Sequence, residues 1–129
     1  INQNDTRFRL NLESGREIAA RTLILTMGIS KKKLGVEGEK KFLGRGVSYC
    51  VDCDANFYRG ATVAVTGNRS AAVDGALTLL GYARKVYLIA EQLNISENLM
   101  NRLRESGIEV LENNRIKIIE GENAVTGLQ

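Results

Sequence analysis

The feature that most constrains this fold is a pair of buried-type strands separated by one helix, between residues 61 and 90. Residues 61–66 and 85–90 are short, mostly apolar runs, as expected for strands covered on both faces. Between them, residues 71–80 place apolar side chains along one face of a helix, and Gly81 is suited to end it. A strand, a crossover helix and a parallel strand form a right-handed unit. The sequence therefore predicts an α/β fold with a Rossmann-like parallel sheet.

The pattern continues beyond this unit. Residues 97–106 form an amphipathic helix with Ser96 as its predicted N-cap, and residues 108–111 and 116–119 are further strands. The final stretch, 124–129, resembles the start of another strand, with nothing after it to pair with.

Before this unit the chain predicts β-structure without helices. Phe8, Leu10 and Leu12 alternate with polar residues, and Ser14 and Gly15 form a turn. Residues 22–26 predict a buried strand, and residues 30–45 have the composition of a linker. We therefore expect two parts: residues 1–45, with strands and a linker, and residues 46–129, with the Rossmann-like domain.

Composition limits the possible function classes. The 129 residues carry a net charge of +3, with few aromatic residues, which argues against a nucleic-acid-binding surface. No apolar run approaches the ~20 residues that cross a membrane. Two closely spaced cysteines do not make a disulfide framework, so we expect a cytoplasmic protein.

The only two cysteines, Cys50 and Cys53, are separated by two residues, and Asp54 follows directly. Such a pair can form a small disulfide ring or present two thiolates to a metal. We favour redox chemistry, because the chain has no histidine to complete a zinc site. A metal-bridged dimer and two structural cysteines are the alternatives. Asp54 could move a proton during thiol–disulfide exchange, or cap the start of a helix, or both.

The turn after the strand at 61–66 is a candidate nucleotide site. Gly67 and Ala72 fit the first and last positions of the Gly-x-Gly-x-x-Gly/Ala fingerprint, whereas Arg69 replaces the middle glycine. Asn68 and Ser70 complete the turn. The fingerprint also expects, about 20 positions later, an acidic residue that binds the ribose hydroxyls. Glu91 lies one residue after that position. The turn could bind a dinucleotide or serve only as a structural βαβ turn.

Residues 47–54, from Val47 to the Cys50–Cys53 pair and Asp54, resemble the active-site segment of low-molecular-weight thioredoxin reductases and alkyl hydroperoxide reductase flavoproteins. Residues 22–30 and 34–39 are similar to the family's flavin-proximal segment and its crossover between domains. The resemblance implies an FAD-dependent enzyme, homodimeric, that reduces thioredoxin or a similar small protein. It places Thr26 and Gly28 near the flavin. It also implies that Cys53 faces the flavin, Cys50 attacks the partner disulfide, and Asp54 donates a proton.

Two departures from the family concern the electron donor. Arg69 occupies the second glycine of the fingerprint, and Glu91 lies where the family has a basic segment that holds the 2′-phosphate of NADPH. The resemblance therefore implies NADH or a donor without nicotinamide, such as a deazaflavin or ferredoxin, rather than NADPH.

The family's first FAD motif would precede residue 1, and its closing segment would follow residue 129. The sequence thus resembles a central fragment that we expect to hold FAD poorly. The alternative function is a non-catalytic nucleotide-sensing or interaction module with a degenerate Rossmann site.

Overall fold

A computed structural model describes residues 2–4, 7–28 and 32–129, in two compact units, Ile1–Lys31 and Lys32–Gln129. The first unit contains three antiparallel strands, β1 (Asn2–Asn4), β2 (Arg7–Asn11) and β3 (Glu17–Ala20), in the order β1-β2-β3. Phe8 and Leu10 are half-buried between exposed neighbours in β2, which confirms the predicted alternation for these two residues. Leu12 follows the end of β2 and is exposed. The predicted turn joins β2 to β3, and Gly15 adopts a φ of +78° there.

The predicted strand at residues 22–26 is wrong. The structure has no strand between residues 22 and 28, and Ile24 remains 84% exposed. An apolar run shows that a segment can be buried, but a strand also needs a neighbour for its backbone N–H and C=O groups. The described part of the first unit pairs β3 with β2 and gives residues 22–28 no such neighbour.

The second unit is built around the predicted parallel sheet. Strands β4 (Thr62–Thr66), β5 (Lys85–Ala90) and β6 (Glu109–Glu112) run in the order β4-β5-β6. In register, Val63 lies beside Val86 and Leu88 lies beside Val110. Helix α2 (Ser70–Leu79) is the crossover between β4 and β5. These elements confirm the α/β fold class.

The main core lies between this sheet and two helices, α2 and α3 (Glu97–Glu105). Val73 of α2, Val86 and Leu88 of β5 are fully buried, and Leu103 of α3 is 2% exposed. Ser96 caps α3, because its hydroxyl accepts a hydrogen bond from the Leu99 N–H at 3.5 Å. Among the residues that the structure describes, no helix is both long and apolar enough to cross a membrane.

A second, smaller cluster forms where residues 36–47 meet the hairpin of β7 (Ile119–Gly121) and β8 (Val125–Leu128). Phe42 is 1% exposed there. The final strand pairs with β7, the strand that precedes it, because the turn at residues 122–124 folds it back antiparallel.

Residues 32–45 differ from the predicted linker, because they belong to the second unit and contain buried side chains. The Val125 N–H donates to the Arg45 carbonyl at 3.0 Å, which ties this segment to β8. Residues 29–31, at the predicted start of the linker, lie outside the described residues. The assignment of residues 1–45 to a flavin domain and 46–129 to a nucleotide domain stays a prediction.

The cysteines lie on a short helix, α1 (Val51–Asp54), which continues into one turn of 3-10 helix (Ala55–Tyr58). Helix α1 packs against the middle of α2 at Gly75. A Cβ atom added to Gly75 would lie 3.1 Å from Cγ2 of Val51, closer than most side-chain contacts. Because Gly75 has no side chain, α1, which carries the cysteines, can approach α2, which follows the candidate nucleotide turn.

Candidate functional site

Cys50 and Cys53 form a disulfide with their Cα atoms 5.3 Å apart. Cys50 occupies the N-cap position of α1 and is half-buried, whereas Cys53 lies within the helix and is exposed. Within residues 2–4, 7–28 and 32–129, no group of three or more His, Cys, Asp or Glu residues is arranged to hold a metal ion. The pair is therefore present as a disulfide with one accessible member.

Asp54 is held next to this disulfide by the side chain of Ser48. The Ser48 hydroxyl donates to Oδ2 of Asp54 at 2.5 Å, and its oxygen accepts the Cys50 N–H at 3.0 Å. Asp54 makes no side-chain capping hydrogen bond at the start of the 3-10 turn that follows it. The capping alternative for Asp54 is therefore wrong in this structure, and its carboxylate is directed toward residue 48 instead.

Tyr58 is the titratable neighbour of Asp54 on the 3-10 turn. Burial raises the pKa of the Tyr58 phenol, and the negative charge of Asp54 raises it further. The phenol is therefore protonated at neutral pH. A half-buried carboxylate that directly follows the exposed cysteine and accepts a hydrogen bond from a hydroxyl is suited to accept and return a proton during exchange.

A second polar network lies directly before the cysteines and was not predicted. Glu39 is 3% exposed and accepts hydrogen bonds from the Leu34 and Gly35 N–H groups, each at 2.8 Å. The Tyr49 hydroxyl also donates to Glu39, at 2.9 Å. Burial acts to raise the pKa of Glu39, but these three donors and the charge of Lys33 outweigh it, so its pKa lies below 4.5. The network joins the crossover segment to the residue that precedes Cys50.

The turn between β4 and α2 has the shape of a nucleotide-binding turn. Gly67 adopts a φ of +147°, and a Cβ atom there would lie 2.8 Å from Cβ of Ala72. Only glycine fits this position, because the turn lies close against the first turn of α2. Arg69 occupies the N-cap of α2 without a side-chain capping hydrogen bond. Backbone N–H groups at such a helix start are suited to bind a phosphate.

A polar depression lies at the carboxyl ends of the three parallel strands. Hydrogen bonds tie its loops together: the Asn94 N–H donates to the Asn68 carbonyl at 2.8 Å, and the Asn113 N–H donates to the Glu91 carbonyl at 3.0 Å. Glu112 accepts the Leu93 N–H at 3.3 Å. The residues that line the depression are Asn68, Glu91, Gln92, Leu93, Asn94, Glu112 and Asn113. The described residues that line it include two carboxylates and no basic side chain.

The structure gathers the predicted site residues into two groups in the second unit. One group contains Cys50, Cys53 and Asp54. The other contains the turn residues and Glu91, of which Asn68 and Glu91 share the depression. The predicted flavin-proximal residues, Thr26 and Gly28, belong to the first unit, in the exposed segment after β3.

Sequence reasoning missed two residues of this site, Ser48 and Glu112. A signal existed for each. A serine can accept the backbone N–H of the residue two positions later, here Cys50, the N-cap of α1. Glu112 ends β6, and the carboxyl ends of parallel strands share the edge at which ligands bind.

Comparison with known proteins places these features in a family. Residues 1–129 match the family of pyridine nucleotide-disulphide oxidoreductases. The chain is 37% identical over 118 residues to the bifunctional thioredoxin reductase/thioredoxin of Mycobacterium leprae, covering 89% of this chain and 26% of that protein. It is 31% identical over 132 residues to alkyl hydroperoxide reductase F of Staphylococcus aureus strain MRSA252, covering 100% of this chain and 26% of that protein.

Among solved structures, the chain resembles the atypical thioredoxin reductase of Desulfovibrio vulgaris Hildenborough, with a TM-score of 0.73 and 38% identity. That match covers 98% of this chain and 43% of the other. The chain thus spans about a quarter of the length of these curated relatives and less than half of the solved structure.

Proposed function

Because the chain belongs to the pyridine nucleotide-disulphide oxidoreductase family, we propose that its Cys50–Cys53 disulfide is the redox centre of a thioredoxin reductase-like enzyme. The observation that carries this proposal is the geometry of the pair. The two sulfurs are joined at the start of a helix, Cys53 is exposed, and Asp54, the next residue, is hydrogen-bonded through its carboxylate to Ser48. Metal binding would use both thiolates and gives no reason for a carboxylate held in this way.

The proposed chemistry is two-electron thiol–disulfide exchange. In the reduced pair, one thiol gives its proton to Asp54, and the resulting thiolate attacks one sulfur of a partner disulfide. The partner's S–S bond breaks, and its departing thiolate takes up a proton. The second cysteine then attacks the mixed disulfide, which re-forms the Cys50–Cys53 bond and releases the partner with two thiols.

We extend the proposal to the cofactors. The turn at Gly67–Ala72 fits a dinucleotide pyrophosphate, because Gly67 lets the backbone approach and the start of α2 offers N–H groups. Flavin, as FAD, and a reduced donor would supply the electron pair that opens the disulfide. Thr26 and Gly28 are the residues that we assign to the flavin side.

The donor that we propose is NADH or a donor without nicotinamide, rather than NADPH. The polar depression carries Glu91 and Glu112 and lacks a basic side chain that could pair with a 2′-phosphate. Carboxylates there would repel that phosphate, whereas they can accept hydrogen bonds from ribose hydroxyls.

The partner that we propose is thioredoxin or a similar small redox protein, and the setting is a cytoplasmic homodimer. The relative from Mycobacterium leprae, named as a bifunctional thioredoxin reductase/thioredoxin, supports the partner class. A non-catalytic nucleotide-sensing module, the alternative function, would need neither the disulfide nor the Ser48–Asp54 hydrogen bond, so we do not favour it.

The proposal is tested by exchange with thioredoxin, without flavin. The chain is reduced with dithiothreitol, freed of reductant and mixed with oxidised thioredoxin, and thioredoxin thiols are counted by an alkylation gel shift. We expect reduction faster than by free dithiothreitol at the same dithiol concentration. Reduction no faster than by free dithiothreitol would overturn the proposal.

Single-cysteine variants identify the attacking sulfur in the same assay. Cys50→Ser and Cys53→Ser should each abolish the full exchange, and the variant that keeps the attacking sulfur should accumulate a mixed disulfide. The family resemblance predicts that this sulfur is Cys50. Accumulation only with the Cys50→Ser variant would instead assign the attack to Cys53, the exposed member of the pair.

A further inference from the structure

Ser48 lies two residues before Cys50, and its hydroxyl joins the two ends of the disulfide segment. The hydroxyl has one proton and two acceptors within reach, Oδ2 of Asp54 at 2.5 Å and the Cys50 carbonyl at 3.4 Å, and the much shorter distance assigns the proton to Asp54. The hydroxyl oxygen also accepts the N–H of Cys50, at 3.0 Å. Serine at this place could serve only to accept the N–H of Cys50, the N-cap residue of α1. The hydrogen bond to Asp54 adds a contact that such a local role does not require.

We propose that Ser48 is a positioning residue for the redox reaction, holding the Asp54 carboxylate at the Cys50 side of the disulfide. Asp54 is the last residue of α1 and could otherwise turn its side chain toward solvent, because it caps no backbone group of the 3-10 turn. The Asp54 N–H is already fixed by a hydrogen bond to the Cys50 carbonyl, at 3.1 Å. Ser48 adds the second constraint, on the carboxylate itself.

This inference rests on the proposed function, since it assigns Ser48 a part in that same exchange. Proton transfer by a correctly placed group contributes a rate factor of about 10² to 10⁴. A carboxylate that is present but free to rotate retains part of that factor. We therefore expect loss of the Ser48 hydroxyl to slow exchange roughly tenfold, with Asp54 itself unchanged.

The groups that face Asp54 are few. On the 3-10 turn, Tyr58 is close enough for the charge of Asp54 to raise the pKa of its phenol. Helix α2 meets α1 at Gly75, which carries no charge. Within α1, the titratable groups next to Asp54 are the exposed carboxylate of Asp52 and, once they are reduced, the thiols of Cys50 and Cys53. Asp52 is unchanged in every variant compared below, so the difference between the pH–rate profiles of wild type and Asp54→Asn reports on Asp54.

The test uses a small disulfide, so that it does not depend on flavin or on thioredoxin. The reduced 129-residue chain is mixed with oxidised glutathione between pH 5 and 9, quenched with acid, and the released glutathione is measured by chromatography. Each turnover converts one glutathione disulfide into two thiols and oxidises the cysteine pair. We expect Ser48→Ala to slow exchange roughly tenfold and to shift the pH–rate profile toward that of Asp54→Asn, whereas Ser48→Thr, which keeps a hydroxyl, restores the wild-type profile.

The double variant Ser48→Ala/Asp54→Asn distinguishes an effect through the position of Asp54 from a general effect on folding. If Ser48 acts through Asp54, Ser48→Ala should add little to the rate loss in the Asp54→Asn background. The matched control is Ser106→Ala, because Ser106 is also half-buried and donates to the Leu103 carbonyl, at 2.7 Å, far along the chain from the cysteines. It should leave the rate and profile unchanged.

The inference is overturned if Ser48→Ala keeps the wild-type rate and pH–rate profile, or if its effect multiplies fully with that of Asp54→Asn. The proposed function fails in a different way. In that case the wild-type chain exchanges with glutathione while showing no advantage over free dithiothreitol toward thioredoxin.

Discussion

The replacement of Glu39 by glutamine should destabilise the second unit in a pH-dependent way. The carboxylate is 3% exposed and accepts three hydrogen bonds, with Oε1 serving Leu34 and Tyr49 and Oε2 serving Gly35. A glutamine of the same shape has only one acceptor oxygen. At least one backbone N–H therefore faces the amide NH₂ group and loses its acceptor.

The size of the effect follows from these contacts. Hydrogen bonds to a charged group contribute about 1.5–3 kcal/mol each, and a buried donor without an acceptor costs about 1–3 kcal/mol. With one such bond lost and the others weakened by loss of charge, we expect Glu39→Gln to lower the free energy of unfolding by about 3 kcal/mol at pH 7. For a unit of this size, that corresponds to a fall of roughly 1–3 M in the urea midpoint.

The sign of the pH dependence is set by the lowered pKa of Glu39. Because its folded pKa lies below the unfolded value near 4.5, the ionised carboxylate stabilises the fold fully above that value. This contribution is lost as the pH falls through the lower, folded pKa. Glutamine has no such contribution, so the difference in stability between wild type and variant should shrink between pH 5 and pH 3. Other carboxylates affect both proteins alike.

Tyrosine fluorescence during urea unfolding measures this difference in the right part of the molecule. The four tyrosines, at positions 49, 58, 82 and 87, all lie in the second unit, and the chain has no tryptophan. Glu37→Gln is the matched control, because Glu37 is exposed in the same segment and should leave the midpoint unchanged. Equal midpoints for wild type and Glu39→Gln at pH 7, or a gap that stays constant down to pH 3, would refute the reasoning.

Three further substitutions test the core and the nucleotide site. Gly67→Ala should destabilise the second unit by about 1–3 kcal/mol and weaken NADH binding, because the turn requires a φ of +147° and Ala72 occupies the space for a side chain. Phe42→Ala should cost about 3–5 kcal/mol in urea unfolding, since Phe42 is 1% exposed. Glu91→Gln should raise NADPH affinity relative to NADH roughly fivefold in equilibrium titrations, because it removes a repulsive charge that solvent only partly screens.

Each of these variants has a matched control at a position where the structure predicts little effect. Gly107→Ala meets no atom within 4 Å, Leu43→Ala removes a side chain that is 53% exposed, and Glu122→Gln changes a charge in the β7–β8 turn. If Gly67→Ala unfolds like Gly107→Ala, the close turn is not required. If Phe42→Ala behaves like Leu43→Ala, the second cluster does not stabilise the unit. An unchanged NADPH-to-NADH ratio in Glu91→Gln would remove Glu91 from donor selection.

The elements that could be predicted are those whose signal is local. The strands β4 and β5 and helix α2 follow from apolar periodicity, because each buries a face that its own sequence defines. Residues 22–26 have an equally apolar sequence, yet the described structure gives them no strand. Whether such a run becomes a strand depends on a partner elsewhere, which periodicity does not reveal.

The features of the candidate site likewise divide into those that the local sequence predicts and those that depend on distant residues. The Cys50–Cys53 spacing could be recognised directly, because two residues between cysteines suffice to define the ring. The burial of Glu39 could not, since a glutamate in a lysine-rich segment is typical of an exposed loop. It is buried because donors from residues 34, 35 and 49 converge on it, and only the folded chain brings these together.

The short span of the disulfide has a consequence for the entropy of the unfolded chain. A cross-link stabilises a fold mainly by restricting the unfolded ensemble, and the restriction grows with the length of the closed loop. Cys50 and Cys53 are only three positions apart, so the loop is near the minimum size and its closure contributes only about 2 kcal/mol. Reduction and oxidation therefore change the conformational freedom of the chain little. The pair can alternate between its two redox states while the surrounding sheet and helices stay folded.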